Sequence, residues 1–341
     1  MANVYNKPII VVGGGGAELT VDNGMIYENK YRVRYFDIDG TILKIEYVDA
    51  GGGLTPPNNP NFDNEYLIFD EWNYDINNYV VYRPVDVGAI YKTINNSTYI
   101  KCRFIGVTGL SVELSISGFT SIDWGDGTVD TNTTHTYAKE GNYVINITGS
   151  ITFLSSSSIE LLGSTSANRA VKRIYCSQIT NIPTYAFAYL YNLEIISLPK
   201  LLKTIGTNLF YNNTVLSACN LPKMITSIPS NIFMYCDRLK SFTYPENIET
   251  MGESVLRNSG LLEVSLPASI VKVDDFQPRV CEVIVNSDFI TGNAPIIKTQ
   301  VIVIWVKDEY YNSVINSSGL QAIKDYIKPL SWYPSLTDPN A

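Results

Sequence analysis

The residues that could carry chemistry are few, and the single histidine is the first of them. His135 is the only histidine in 341 residues, so a metal cage built from several histidines is excluded. A histidine can act as a general base, but no nucleophile stands in a recognisable motif with this one. The sequence therefore favours a structural role for His135 over a catalytic one.

Carboxylates at Asp123, Asp126 and Asp130 supply oxygen ligands of the kind that calcium prefers. A calcium-binding EF-hand loop needs such ligands at regular spacing with a closing glutamate, and that pattern is absent. Asp126-Gly127 is instead typical of a hairpin turn. We interpret these carboxylates as turn residues, with calcium as the lesser alternative, and we expect no metal site and no cofactor.

Motifs of the common enzyme classes are missing. The chain contains no Gly-x-Ser-x-Gly, no Walker loop, no dinucleotide fingerprint and no His-Glu-x-x-His. Lys-Ser/Thr does not follow the glycines at 13–16, which favours a flexible joint over a phosphate loop. The 5 cysteines form no Cys-x-x-Cys pair, so buried free thiols are expected. We expect that the protein is not an enzyme.

The composition indicates a folded, acidic protein. Charged residues make up 17% and hydrophobic residues 45% of the chain, as in globular proteins. The net charge of -8 argues against nucleic-acid binding, which needs a basic surface. No apolar run approaches ~20 residues, so membrane insertion is not expected. Residues 1–16 lack the pattern of a signal peptide.

A repeat of about 23 residues dominates the second half of the chain. Each unit holds an aliphatic residue, then an aromatic residue or leucine, then a second leucine, then a closing proline. These columns are Ile182, Ile205, Ile228, Met251 and Val273; Phe187, Phe210, Phe233 and Leu256; Leu193, Leu216, Leu239 and Leu262; and Pro199, Pro222, Pro245 and Pro267. A fixed period of this length predicts a solenoid whose units bury their apolar faces against one another.

Tyrosine is frequent in the repeats, and its rigid, amphipathic ring suits contact surfaces. A solenoid also presents a long regular surface, which is typical of binding proteins. We expect these rings to stack on sugars or on a protein; the alternative is that about half of them lie in the core. The candidate ligand surface consists of Tyr185, Tyr189, Tyr191, Tyr211, Tyr235 and Tyr244.

Residues 30–93 alternate like β-strands around an Asp-Gly turn and carry a family resemblance. The residues that carry it are Asp39-Gly40, Phe69, Trp72 and Tyr91. This combination resembles the InlB B-repeat (Listeria–Bacteroides repeat) family. The resemblance implies a small β-grasp-like module of surface proteins, without catalytic residues.

A second family resemblance lies within residues 98–150. The residues that carry it are Asp123, Trp124, Gly125, Asp126, Gly127, Thr128, His135, Thr136, Tyr137 and those at 141–144. They resemble the PKD domain, which implies an immunoglobulin-like β-sandwich in which the histidine is structural. We expect Trp124 to fill the core and Tyr143, Ile145 and Ile147 to alternate into the interior.

The repeat columns resemble the BspA-like leucine-rich repeat, and the end of the chain resembles the C-terminal cap of such arrays. The resemblance implies strands near 193–198 and 239–244 that line one face. Further strands are expected at 171–175, 280–285 and 301–306, and short helices at 308–315 and 320–327.

The sequence thus predicts a mainly β, multidomain chain. Its expected parts are an N-terminal arm with a Gly hinge at 1–29, the InlB B-repeat-like β module at 30–93, the PKD-like β-sandwich at 98–150, a linker or N-terminal cap at 151–170, the BspA-like leucine-rich repeats at 171–295 and a C-terminal cap at 296–341.

Three β-rich modules of types found on cell surfaces predict a binding protein whose repeats contact a host-surface protein or glycan. Because no secretion signal or anchor is apparent, we expect a bacteriophage virion protein of a gut Bacteroidota phage. It would be a tail fibre, head fibre or capsid decoration protein, assembled in the host cytoplasm as a homo-oligomer. The N-terminal arm would dock onto other virion proteins.

Two alternatives stay open from the sequence. One is a bacterial cell-surface adhesin of BspA-like type. The other is a purely structural spacer in a particle, without any ligand.

Overall fold

The computed structural model describes residues 9–12, 18–22, 25–28, 30–81, 84–106, 109–153, 161–162, 164–261, 263–266, 272–273, 282–285, 304–306 and 327–329. Side chains are described between residues 30 and 261. Within this part the regular structure is almost entirely β, with short helical segments at Ile94–Asn96 and Thr165–Asn168. The prediction of a mainly β, multidomain chain is confirmed. Among the described residues, no helix has the length and apolar character to span a membrane.

The N-terminal segment forms a three-stranded sheet, where the sequence predicted an arm with a Gly hinge. The strands are Ile9–Val12, Glu18–Asp22 and Met25–Glu28, and they pair antiparallel in chain order. Asn23-Gly24 stands between the second and third strands in the sequence. This dipeptide is typical of two-residue hairpin loops and is the signal that could have predicted the pair.

The first module, residues 30–93, is built on a four-stranded sheet. Its strands, in the order in which they lie side by side, are Ile42–Asp49, Lys30–Phe36, Val85–Thr93 and Leu67–Trp72. The central pair is parallel and the two outer pairs are antiparallel. Gly52–Gly53 and Val80–Val81 form a separate antiparallel pair. The predicted Asp-Gly turn joins the first two strands, and Gly40 in it has a φ of 87°.

Aromatic rings fill the core of the first module. Trp72 is 5% exposed and packs against Tyr35 and Phe69, with ring centroids 5.4 Å and 5.2 Å away. Phe69 also meets Tyr91 edge to face at 6.1 Å. Such tilted and edge-to-face pairs are favoured by the charge distribution of aromatic rings. Phe69, Trp72 and Tyr91, which carry the family resemblance, are therefore in contact with one another in this core.

The second module packs a large sheet against a small one. Strands Thr98–Phe104, Ile116–Asp123, Val129–Asp130 and Gly141–Phe153 belong to the large sheet, and Leu110–Glu113 pairs with Thr134–Tyr137 in the small one. Between the sheets Trp124, Ile145 and Ile147 are 0% exposed. Tyr143 is half-buried and packs against this core. The interior residues follow the alternation that the sequence predicted.

The large sheet continues from the second module into the solenoid. Thr98–Phe104 pairs antiparallel with Val171–Tyr175, which pairs in parallel with Ile195–Ser197. The apolar core is also continuous across this boundary, and Leu161 and Leu162 belong to it. A solenoid needs a cap that closes the end of its core. The second module with residues 161–162 and 164–170 supplies that cap, so these residues are part of the packed structure.

The solenoid places one short strand of each turn in each of two stacks. The first stack contains Asn181–Ile182, Thr204–Ile205, Ser227–Ile228, Thr250–Met251 and Lys272–Val273. The second contains Val171–Tyr175, Ile195–Ser197, Ala218–Asn220, Ser241–Thr243, Glu263–Leu266, Glu282–Val285, Ile304–Val306 and Ile327–Pro329. Where strands of a stack pair with each other, they pair in parallel.

Most strands predicted for the repeats are therefore present. Ile327, the last residue of the helix predicted at 320–327, lies instead in strand Ile327–Pro329. Residues 307–326, which include the other predicted helix, lie outside the described residues.

The predicted columns form the core of the solenoid. Phe187, Phe210 and Phe233 are each 0% exposed, and their rings follow one another at centroid distances of 6.0 and 5.5 Å. The leucine column behind them, represented by Leu193 and Leu216, is also 0% exposed. A buried, regularly stacked column is what the 23-residue spacing predicts.

Candidate functional site

His135 lies in a packed cluster of the second module. Its ring stacks on Trp124 with centroids 4.9 Å apart and 15° between the planes. Its Nε2 lies 2.8 Å from Oδ2 of Asp126. The Tyr137 hydroxyl donates a hydrogen bond to the Trp124 carbonyl oxygen over 2.9 Å. These contacts hold a turn against the core, in line with the structural role expected for the histidine.

The carboxylates near His135 accept hydrogen bonds from backbone N–H groups. Asp123, Asp126 and Asp130 each accept the N–H of the residue two positions on, over 2.9–3.0 Å. Burial alone would raise the pKa of Asp126, but the hydrogen bonds it accepts hold that pKa below its usual value. Gly125 and Gly127 have φ values of 79° and 97°, which glycine adopts without strain. Among the described residues, no three or more histidine, cysteine or acidic side chains form a group that could hold a metal.

Four of the cysteines are buried free thiols, as the sequence predicted: Cys102, Cys176, Cys219 and Cys236. Burial raises the pKa of each thiol, which keeps it protonated. Cys281 lies outside the described residues.

The strand-lined face of the solenoid is covered by the first module. Strand Val85–Thr93 lies across Ile195–Ser197, Ala218–Asn220 and Ser241–Thr243. Gly88 shows how close the approach is, because an added Cβ would lie 2.2 Å from Thr243 Oγ1. Only a residue without a side chain fits at this contact.

Two buried asparagines join the first module to the solenoid. Asn220 Nδ2 donates to the Ala89 carbonyl oxygen over 3.1 Å. Asn73 Nδ2 donates to the Leu221 carbonyl oxygen over 3.2 Å and to Thr243 Oγ1 over 3.0 Å. Asn73 is 0% and Asn220 4% exposed. A buried amide left without a partner costs about 1–3 kcal/mol, so these bonds fix the position of the module.

An ionic cluster around Asp63 connects all three parts of the protein. Asp63 Oδ2 accepts hydrogen bonds from Lys101 Nζ over 2.8 Å, from Arg173 Nη1 over 3.2 Å and from the Tyr175 hydroxyl. Burial alone would raise the pKa of Asp63, but these hydrogen bonds and the two cationic charges hold it below its usual value. The Asp63 carboxylate therefore clamps the first module onto both the second module and the solenoid.

Five of the six candidate tyrosines share another side of the solenoid, formed by its turns. They are Tyr185, Tyr189, Tyr191, Tyr211 and Tyr235, called the tyrosine face from here on, and all are half-buried. Four of the five rings form a continuous row. Tyr189 lies 6.3 Å from Tyr191 and 5.4 Å from Tyr211, and Tyr211 lies 5.6 Å from Tyr235, between ring centroids.

Tyr244 does not belong to the tyrosine face. It is 8% exposed, and its ring packs 5.4 Å from the ring of Phe242. The two residues are two positions apart at the end of strand Ser241–Thr243, and residues so spaced point to the same side of an extended chain. Tyr244 is therefore a core residue, whereas the alternative placed about half of these tyrosines in the core.

The backbone of the tyrosine face has a repeated left-handed geometry. Each turn holds two residues with positive φ, four positions apart: Tyr185 and Tyr189, Asn208 and Asn212, Asn231 and Tyr235, Ser254 and Asn258. Asparagine adopts this conformation more readily than other residues with side chains. A tyrosine held there costs on the order of 1–3 kcal/mol. Tyr185, Tyr189 and Tyr235 thus occupy positions that their backbone conformation disfavours, which points to a role for their rings.

Cationic side chains accompany the tyrosine face. The Arg169 guanidinium lies 5.3 Å from the ring centroid of Tyr191. Partial burial and the neighbouring tyrosines raise the pKa of Tyr211, while the charge of Arg257 acts in the opposite direction. Partial burial also raises the pKa of Tyr189. At neutral pH the phenols of Tyr189 and Tyr211 therefore stay protonated and can donate hydrogen bonds.

Reasoning from the sequence missed the residues that close the strand-lined face and the basic residues beside the tyrosines. The sequence did contain a signal that the strand-lined face is covered. The outward strand positions Ser197, Asn220 and Thr243 are polar but uncharged, and each is at most 4% exposed. No periodic signal marked Arg169, which lies outside the repeat columns.

Comparison with known proteins identifies the repeats. Residues 167–279 match the BspA type leucine rich repeat region in 6 copies, where the columns had shown four clear units. The comparison with curated proteins finds no match. A crystal structure of a leucine-rich repeat protein from Bacteroides ovatus is similar at 21% identity, with a TM-score of 0.37, over 40% of this chain and 37% of that chain.

The chain thus spans well under half the length of that solved relative. The matched family region does not extend to the first or the second module, whose resemblances stay predictions. Repeats of the BspA type are typical of bacterial cell-surface proteins, and residues 167–279 are similar to them.

Proposed function

We propose that this chain is a non-enzymatic, adhesin-type binding protein of a bacterial cell surface. The BspA type repeats support the location. The observation that carries the binding role is the division of the solenoid surface. The first module covers the strand-lined face, while the tyrosines on the turns are only half-buried and stay partly accessible to solvent. The tyrosine face is therefore the proposed ligand surface.

A purely structural spacer gives no reason for tyrosines at strained backbone positions. Tyr189 and Tyr235 have φ values of 60° and 64°, whereas Asn212 and Asn258 occupy the equivalent positions of other turns. Strained residues cluster where a side chain serves recognition. The phage virion role draws no support from the comparisons, which favour the cell-surface alternative.

Immunogold electron microscopy of the source culture tests the location. The antibody is raised against residues 171–261, which hold the repeats. We expect gold on the envelopes of intact cells, with pre-immune serum as the control. Gold on phage particles with none on envelopes would overturn the cell-surface proposal in favour of the virion role.

A further inference from the structure

A basic pocket lies where the second module meets the solenoid. Its volume is about 220 Å³, and it is lined by Arg103, Arg169, Lys172, Asn192, Ser166 and Ile105, among others. Ile105 is 65% exposed and supplies an apolar wall, while Asn192 and Ser166 supply uncharged polar groups. The pocket is smaller than a typical site for a drug-sized molecule, and it suits one unit of an extended ligand.

The basic pocket carries positive charge that nearby carboxylates do not balance. Lys172 Nζ pairs with Glu194 Oε1 over 3.2 Å. Among the ion pairs of the described residues, none includes Arg103 or Arg169, and no acidic side chain lines the pocket. The whole chain has a net charge of -8, so this is a local exception. A guanidinium offers a planar fork of N–H donors that matches the two oxygens of a carboxylate.

Arg169 makes the basic pocket continuous with the tyrosine face. Its guanidinium lines the pocket and lies 5.3 Å from the Tyr191 ring centroid. Its carbonyl oxygen accepts a hydrogen bond from Asn192 Nδ2 over 2.7 Å, which ties the pocket to the turn of Tyr191. The row of tyrosine rings begins at Tyr191, beside the pocket. A single extended ligand can therefore contact both the basic pocket and the tyrosine face.

We propose that the basic pocket and the tyrosine face together bind an acidic glycan, with a hexuronate carboxylate held by Arg103 and Arg169. Neighbouring sugar rings pack on Tyr191, Tyr189 and Tyr211. The Tyr189 and Tyr211 rings lie on successive turns with centroids 5.4 Å apart and 60° between their planes, so they form a tilted rather than a flat contact surface. This inference rests on the proposed binding function and names the class of its ligand.

The basic pocket and the tyrosine face together argue against a neutral glycan and against a small anion as the ligand. A neutral glycan would leave the two guanidinium groups without a counter-charge, and a small anion would leave the tyrosines unused. The planar carboxylate fits the fork of an arginine and is the acidic group to which we commit.

Calorimetry with defined oligosaccharides tests this inference on the purified full chain. The probes are an oligogalacturonate, its methyl ester and a heparin oligosaccharide. The ester keeps the sugar chain and removes the charge, while heparin adds sulfate. We expect binding of the oligogalacturonate, loss of binding with the ester, and weakening at high salt.

Substitutions assign the binding to the pocket. We expect Arg103→Gln and Arg169→Gln to weaken oligogalacturonate binding by roughly tenfold each, since each removes a charge-assisted pair of hydrogen bonds. Both side chains are exposed, so the fold should persist. The matched control is the double variant Lys139→Gln/Lys203→Gln, which removes two positive charges from exposed positions outside the pocket and should bind as the parent does.

Three results would overturn the inference: equal binding of the ester, unchanged binding by the Arg103→Gln/Arg169→Gln variant, or binding of heparin alone. Binding of none of the probes would overturn it as well. None of these outcomes bears on the immunogold location. Gold on cell envelopes without oligogalacturonate binding would therefore leave the adhesin proposal standing while the acidic-glycan inference fails.

Discussion

Phe210 lies between the rings of Phe187 and Phe233, and none of the three is exposed to solvent. Each ring fills a space whose walls belong to the turns before and after its own. Truncation of the middle ring therefore leaves a cavity that a shift of one neighbour cannot close. This column was predictable, because its residues recur at a fixed spacing in the sequence.

We predict that Phe210→Ala lowers the free energy of unfolding by about 3–5 kcal/mol, through lost burial and the cavity left behind. Denaturant titration followed by circular dichroism measures the change. Phe210→Leu is the control, and its loss should be clearly smaller because leucine refills most of the volume. If Phe210→Ala unfolds at the denaturant concentration of the parent, Phe210 does not fill the space between its neighbours.

At the scale of the element, neighbouring turns touch where proline and glycine alternate in one column. Pro183, Gly206, Pro229 and Gly252 occupy this column, each following an aliphatic core residue. A Cβ added to Gly206 would lie 2.1 Å from the Thr184 nitrogen, and one added to Gly252 would lie 2.5 Å from a backbone nitrogen of the preceding turn. Glycine at every second turn thus lets the backbones of consecutive turns approach.

We predict that Gly206→Ala destabilises the solenoid by about 1–3 kcal/mol, because the methyl group must push two backbones apart. Thermal unfolding followed by circular dichroism measures this loss. Gly53→Ala is the matched control, since a Cβ at Gly53 would meet nothing within 4 Å. Equal melting of the two variants would show that the turns are free to separate at this point.

Elements whose residues recur at a fixed spacing could be predicted from the sequence. Contacts between different elements could not. The repeat strands and the core columns follow from spacing alone. The covering of the strand-lined face depends on pairs such as Asn220 with Ala89, which are 131 residues apart. Such pairs join a single polar side chain to a backbone carbonyl group. Because they do not recur at a fixed spacing, the sequence does not reveal them. The tyrosine face falls between these cases, because the sequence marked its rings but could not show that Tyr244 turns inward.

At the scale of the whole molecule, the first module, the second module and the solenoid meet at the carboxylate of Asp63. Lys101 reaches it from the second module, and Arg173 and Tyr175 reach it from the solenoid. Asp63 also has a φ of 47°, which asparagine tolerates as well as aspartate does. Asp63→Asn therefore removes the charge without disturbing the turn.

We predict that Asp63→Asn lowers stability at pH 7 by about 1–3 kcal/mol, since two cations lose their common partner. The folded-state pKa of Asp63 lies below its unfolded value. Its stabilisation is thus fully present above pH of about 4 and is lost as the pH falls through the lowered pKa. The difference between parent and variant, measured by thermal unfolding at a series of pH values, should shrink at the acidic end.

Asp49→Asn is the matched control for that series, because Asp49 pairs with Lys30 over 3.0 Å while its side chain is 73% exposed. An exposed pair of this kind contributes about 0–1 kcal/mol, so this variant should follow the parent closely at every pH. A loss in Asp63→Asn that stays constant down to the acidic end would show that the charge of Asp63 is not what holds the three parts together. A loss confined to neutral pH identifies the ionised carboxylate as the clamp.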